Sequence, residues 1–233
     1  RNADTYKFRI KWSPDSKKIL WSDKKLRLLY VDIHSKKVDT VATSKEWEFN
    51  YFNWSPDSRW IAYQKSEAES MDIIYIYSLE LKKSWPVTDG WYTSTAPSFS
   101  QDGKFLFFVS DRDFNHTFSQ TEWNHAYIDM ARIYFVTLNK SVESPFKPEN
   151  DKVAVNSNGE DKSKKEESKE GKKEKLVLSI EPEGLKDRIG VLPVQAANYR
   201  HLSCLKSAIY YIRKGSGDKQ PVLLYYDLEK KKE

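Results

Sequence analysis

Cysteine, methionine and glycine are scarce here, with one, two and eight copies among 233 residues. A single thiol, Cys204, excludes an internal disulfide framework. Close to Leu202 and Leu205, it reads as a small buried hydrophobe, because a lone cysteine becomes a nucleophile only beside a positioned base. One thiol leaves cytoplasm and periplasm equally open. So few glycines leave little room for phosphate-cradling loops, and the chain has no nucleophile elbow, no His-Glu-x-x-His and no Cys-x-x-Cys. No apolar run approaches the length that crosses a bilayer, and the start at Arg1 lacks the basic, apolar and small-residue pattern of a signal peptide. Arg1 also stands where an initiator Met would, so the chain is expected to be a piece of something longer. A formal charge of +5 with eight Trp raises nucleic-acid binding. However, Lys and Arg alternate with Asp and Glu along most of the chain, and no local stretch concentrates the positive charge that phosphates require.

What the chain does have is a repeat. Trp12-Ser13-Pro14-Asp15-Ser16 followed by Lys17 to Trp21 returns as Trp54-Ser55-Pro56-Asp57-Ser58 followed by Arg59 to Tyr63. It returns again as Phe99-Ser100-Gln101-Asp102-Gly103 followed by Lys104 to Phe108. The copies start 42 and 45 residues apart, the length of one four-stranded propeller blade and too long for a hairpin. Pro14 and Pro56 pre-set φ for a tight turn, and the Asp and Ser or Gly after them bond locally or tolerate unusual φ. Where Gln101 replaces proline, Asp102-Gly103 still supplies a permissive backbone.

After each turn comes a short β-rich run, then a second one at Leu26 to Asp32, Asp72 to Leu79 and Arg132 to Leu138. Asp72 to Leu79 is apolar or aromatic at nearly every position, the pattern of a strand covered on both faces. Weaker segments, Lys37 to Thr43 and Ser84 to Thr88, suit outer edge strands. A β-sandwich is the alternative, but sandwich strands do not repeat a motif at fixed period.

From Glu149 to Lys175 the composition turns to nearly balanced Lys and Glu with little to bury, and a flexible charged insertion is expected. Leu176 to Ile180 would be the delayed outer strand of the third unit. A fourth unit would run from an inner strand at Arg188 to Val194 through Ser207 to Ile212, a Gly215-Ser216-Gly217-Asp218 turn, and Val222 to Asp227, without an outer strand. The expectation is therefore an all-β propeller segment of about four four-stranded blades, the last incomplete. Their bounds are residues 6–43, 48–88, 94–181 (including the insertion at 149–175) and 188–228, within one domain 1–233. Because an open end leaves an uncovered face, either four blades close or this is a slice of a six- or seven-bladed ring; we favour the slice.

Two candidate sites stand out. His116 and His125, with Glu122 and Asp129 nearby, could hold a metal, but their spacing matches no common ligand pattern and no metal or cofactor is expected. Phe114 to Met130, inserted between the second and third strands of the third unit, carries Phe114, His116, Phe118, Trp123, His125 and Tyr127 among polar residues. That mix suits peptide or partner contact, or caps the blade. Nearby, Asp111 is expected to cap a turn and Arg112 to pair with a carboxylate. Trp12, Trp54 and Phe99 are expected to pack between blades, with Pro14, Asp15, Pro56, Asp57, Asp102 and Gly103 shaping the turns.

Several stretches together resemble the β-propeller portion of tricorn-type serine peptidases: Ser110-Asp111-Arg112-Asp113-Phe114-Asn115, Trp123-Asn124, Ile133 to Leu138, Ser144-Pro145-Phe146, and Gly184 to Val194 ahead of Asn198-Tyr199. The turn motif alone is shared with Tol-associated propellers. The resemblance covers essentially the whole chain. It implies a multidomain peptidase whose propellers precede the catalytic half, admit peptides to an interior chamber and guide products, with the nucleophilic Ser and its His partner in C-terminal domains. None of those motifs occurs here, so no catalytic residue carries over. Partners implied are the remaining blades, the catalytic domains, unfolded polypeptide and further copies of the parent, in the cytoplasm. The alternative is a Tol-associated type of interaction module in the periplasm, with no peptidase.

Overall fold

The structure, a computed structural model, describes residues 5–118, 125–146 and 177–233. The first sheet is a meander of β1 (Lys7–Trp12), β2 (Lys18–Asp23), β3 (Arg27–Asp32) and β4 (Val38–Thr43). The second repeats it with β5 (Phe52–Trp54), β6 (Trp60–Lys65), β7 (Ile73–Ser78) and β8 (Lys83–Pro86). In the third, β9 (Ser94–Phe99) and β10 (Phe105–Asp111) lead into a separate hairpin, β11 (Asn115–Phe118) and β12 (His125–Ile128), before β13 (Ala131–Thr137) and β14 (Ile189–Val191) complete the sheet. A fourth sheet holds β15 (Asn198–Leu205), β16 (Ala208–Lys214) and β17 (Val222–Asp227).

Alternation along one strand shows how the sheets stack. In β10, Phe105, Phe107 and Val109 join the core shared with Ile209, Tyr211 and Tyr226 of the fourth sheet. Leu106 and Phe108 point the other way, into the core shared with Ala62, Ile74 and Ile76 of the second. The first and second sheets meet through Leu20, Leu28, Tyr30, Trp54, Ile61 and Tyr63. A middle sheet is thus covered on both faces by its sequence neighbours, which a two-layer sandwich does not provide. The fold is an all-β propeller segment.

The turns explain why a short motif recurs. Ser13 Oγ donates to Asp15 Oδ1 at 2.6 Å and accepts from Lys18 N at 2.9 Å, while Ser16 takes φ 57°. Ser55, Asp57 and Ser58 repeat this geometry, as do Ser100, Asp102 and Gly103, with φ of 61° and 72° at Ser58 and Gly103. The serine hydroxyl is therefore the hub of each turn. Turns also bond to their neighbours: Asp15 N donates to Ser58 Oγ at 3.0 Å, and Lys206 N to Gln101 Oε1 at 2.8 Å.

Three expectations need correction. The outer strand of the third sheet is not Leu176 to Ile180. Ile189–Val191 takes that place, pairing Val136 with Ile189, Phe135 with Gly190 and Tyr134 with Val191. Those residues therefore do not begin the fourth sheet, whose first strand is β15. Leu178 instead plugs the turn region, its N–H donating to Asp57 Oδ2 at 3.0 Å and its side chain filling the space beside Gly103 that a Cβ would need. The third correction is Trp12. It is 58% exposed, whereas Trp54 and Phe99 are buried, because each of those two packs on the preceding sheet and, among the described residues, no sheet precedes that of Trp12. The charged insertion at 149–175 lies outside the described residues.

Candidate functional site

Strand direction alternates, so the connections after each second strand and those joining one sheet to the next emerge at the same end. Met71, Trp91, Phe114, Tyr127 and Ile128 stand exposed there. Behind them runs a stack. The Arg112 guanidinium lies 5.0 Å from the Tyr134 ring centroid and 5.5 Å from that of Tyr92. Tyr92 contacts Phe114 at 5.8 Å, and Phe114 meets Tyr127 edge-on at 5.8 Å. Among the described residues Arg112 is thus held between two rings and by Ser110 Oγ, 3.1 Å from its Nε, and pairs with no carboxylate. Among the described residues of this segment, Arg132 pairs with Asp113, 3.0 Å apart. Asp111 ends β10, opposite Ala131, rather than standing within a turn. Its burial, with the charge of Asp72, pushes the Asp111 carboxyl above the usual carboxylate range.

The hairpin is anchored at its base. Asp129, at φ 51°, accepts bonds from Ser216 N at 2.9 Å and from Ser216 Oγ at 2.5 Å, tying β12 to the turn between β16 and β17. Between hairpin and fourth sheet lies a cleft of about 690 Å³ lined by Asp111, Met130, Asn198, Arg200, His201 and Lys214. The backbone register pairs His116 with Tyr127 and Phe118 with His125, while Trp123 lies outside the described residues. Of the six proposed contact residues, the structure therefore describes the side chains of Phe114 and Tyr127, and brings them together.

A second cleft, of about 630 Å³, runs along the first strands of the sheets. Here β9 packs against β5 and β15, and Lys11 of β1 reaches Asn53 of β5, its Nζ 3.4 Å from Oδ1. Arg200 and His201 line both clefts. Sequence reading missed this wall, because Arg9, Lys11, Arg200 and His201 carry no local motif. It also missed Trp91, for which the Asp89-Gly90 loop signal was available. Cys204 packs against the core of the third and fourth sheets, and burial pushes its thiol up to about 12.

The whole chain, residues 1–233, matches the family model of the tricorn protease second beta propeller domain. The chain belongs to that family. Among relatives of this tricorn propeller, Tricorn protease homolog 1 of Streptomyces coelicolor is 26% identical over 204 residues, covering 86% of the chain and 18% of the relative. The Tricorn protease homolog of Saccharolobus solfataricus is 27% identical over 231 residues, covering 96% of the chain and 20% of the relative. The chain thus spans about a fifth of the length of these relatives. The crystal structure of the tricorn protease superposes with a TM-score of 0.76 at 20% identity, over 97% of this chain and 22% of that one. TolB from Acinetobacter baumannii gives 0.57 at 13% identity, over 97% and 42%, a likeness of fold alone.

Proposed function

We propose that this tricorn propeller is a non-catalytic part of a longer serine-type peptidase, a scaffold that also gates extended peptides on their way to or from the active site. The observation that carries the reading is the second cleft, the hub cleft, lined by the first strands of all four sheets. Continued around a closed ring, such a cleft would form a passage that admits an unfolded chain and excludes a folded one. The exposed rim of Trp91, Phe114 and Tyr127 supports contact with that chain or with the catalytic half. On this reading the partners are the remaining blades, the catalytic domains and further copies of the parent, and the compartment is the cytoplasm.

The test narrows the passage with Asn53→Trp in the complete parent protein. Turnover of long unfolded polypeptide should fall severalfold while cleavage of a short chromogenic peptide is preserved. Unchanged turnover of both substrates would refute gating here. A parent with no peptidase region after Glu233 would favour the Tol-associated type of interaction module instead.

A further inference from the structure

The hub wall is charged with one sign. Arg9, Lys11, Arg200 and His201 line the 630 Å³ cleft together with Asn50, Tyr51, Asn53 and Ser203, and no lining residue is acidic. Among the described residues Arg9 and Arg200 form no ion pair, and both are exposed. Lys11 spends its ammonium on Asn53 Oδ1 and on the Phe52 ring, 5.7 Å from its centroid. Packing against the protein, then the charge of Arg9, pushes the Lys11 pKa below the ordinary lysine range.

The backbone is specialised at the same places. The pairing of β1 with β2, of β9 with β10 and of β15 with β16 each breaks register part-way. At those breaks Arg9, Ala96 and His201 adopt φ of 52°, 52° and 56°, costly for residues with a Cβ. Bulges of this kind re-aim side chains, and here two of the three belong to the cationic wall. Each first strand is also the edge of its sheet, offering unpaired N–H and C=O groups to an extended chain.

From this juxtaposition we infer that the hub wall is a binding subsite for the carboxylates of an extended polypeptide, with Arg9 and Arg200 as the principal contacts and the strand edges holding the backbone. The inference rests on the gating reading for its ligand class and adds a charge preference to it. Nucleic acid fits less well, because the unpaired N–H and C=O groups of the strand edges match a peptide backbone and give a sugar–phosphate chain no ladder partner. Carboxylates could come from acidic side chains or from a chain terminus, and both would meet the same guanidinium groups.

Fluorescence anisotropy on the full chain tests this with four labelled probes: a Glu-rich ten-residue peptide with a free C-terminus, its C-terminally amidated form, an amidated Gln-for-Glu version and a ten-nucleotide thymidine strand. The combined Arg9→Gln and Arg200→Gln variant should bind the Glu-rich peptide about tenfold more weakly. The Gln version should bind weakly to both proteins, and Lys230→Gln, outside the cleft, should change nothing. Arg200→Lys keeps the charge at an exposed site and should retain most of the binding, which separates loss of charge from loss of fold. A drop on amidation assigns the terminus, and no drop assigns the side chains. Equal binding of Glu and Gln peptides, no effect of the double variant, or tighter binding of the thymidine strand through the same arginines would overturn the inference. None of these outcomes depends on turnover, so failure here leaves the gating test standing.

Discussion

Replacing Gly190 with alanine separates the observed topology from its nearest competitor by the sign of the effect. Gly190 sits in β14 directly across from Phe135, and its φ lies outside the left-handed region. At an open position with such a φ, Gly→Ala stabilises by about 0.4–1 kcal/mol, because the unfolded chain loses freedom. Here a Cβ would lie 2.4 Å from Phe135 Cζ and 2.8 Å from Cε1. The ring cannot withdraw: Phe135 is 1% exposed, with Phe105 edge-on at 5.9 Å and Phe146 at 5.7 Å. Overpacking of this kind costs about 1–3 kcal/mol, enough to reverse the entropic gain. The assay is urea unfolding followed by tryptophan fluorescence, in wild-type and Phe135→Leu backgrounds, read as a shift in midpoint at constant slope. Gly190→Ala should lower the midpoint in the wild type and cost under about 0.5 kcal/mol once the ring is gone, since the two sites are in contact and must couple. A stabilised Gly190→Ala variant, or an equal loss in both backgrounds, would refute the pairing of β13 with β14 and return Ile189–Val191 to the fourth sheet.

Two further outcomes follow from burial and charge. Trp54→Ala should cost about 3–5 kcal/mol and Trp12→Ala within about 0.5 of zero, despite their identical motif context; equal losses in chemical denaturation would contradict the stacking described. Asp111 has a folded-state pKa raised by burial and by Asp72, so the native state holds its proton longer than the unfolded state does. Its contribution to stability is therefore present below the unfolded pKa and falls as pH rises through the folded one. Asp111→Asn should raise the melting temperature near neutral pH and change it little at about pH 4, and a lower melting temperature at neutral pH would show that the carboxylate has an attractive partner there.

The repeat was legible because each turn and the two strands it joins are contiguous in sequence. A turn whose serine, aspartate and left-handed residue are all local announces itself in the residues, and Ile73–Ser78 shows by its composition that both faces are covered. The outer strand of the third sheet was not legible for the opposite reason. Leu-Val-Leu-Ser-Ile has the stronger strand propensity, whereas Ile-Gly-Val is chosen by a tertiary demand, the ring of Phe135 lying where a side chain would be. Trp12 and Trp54 share a motif, and only the sheet in front of each decides which is buried.

The same distinction separates the two parts of the candidate site. Phe114 and Tyr127 could be picked out because an aromatic insertion interrupts an otherwise regular unit. Arg9 and Arg200 lie at opposite ends of the chain, in strands that look unremarkable and depart from ideal pairing at bulges no residue type encodes. A propeller brings together at its hub what its sequence keeps farthest apart. Its repeat therefore specifies the blades, while the residues that vary between the repeats' first strands decide what the passage will hold, and the arginine substitutions act on that second, non-local layer.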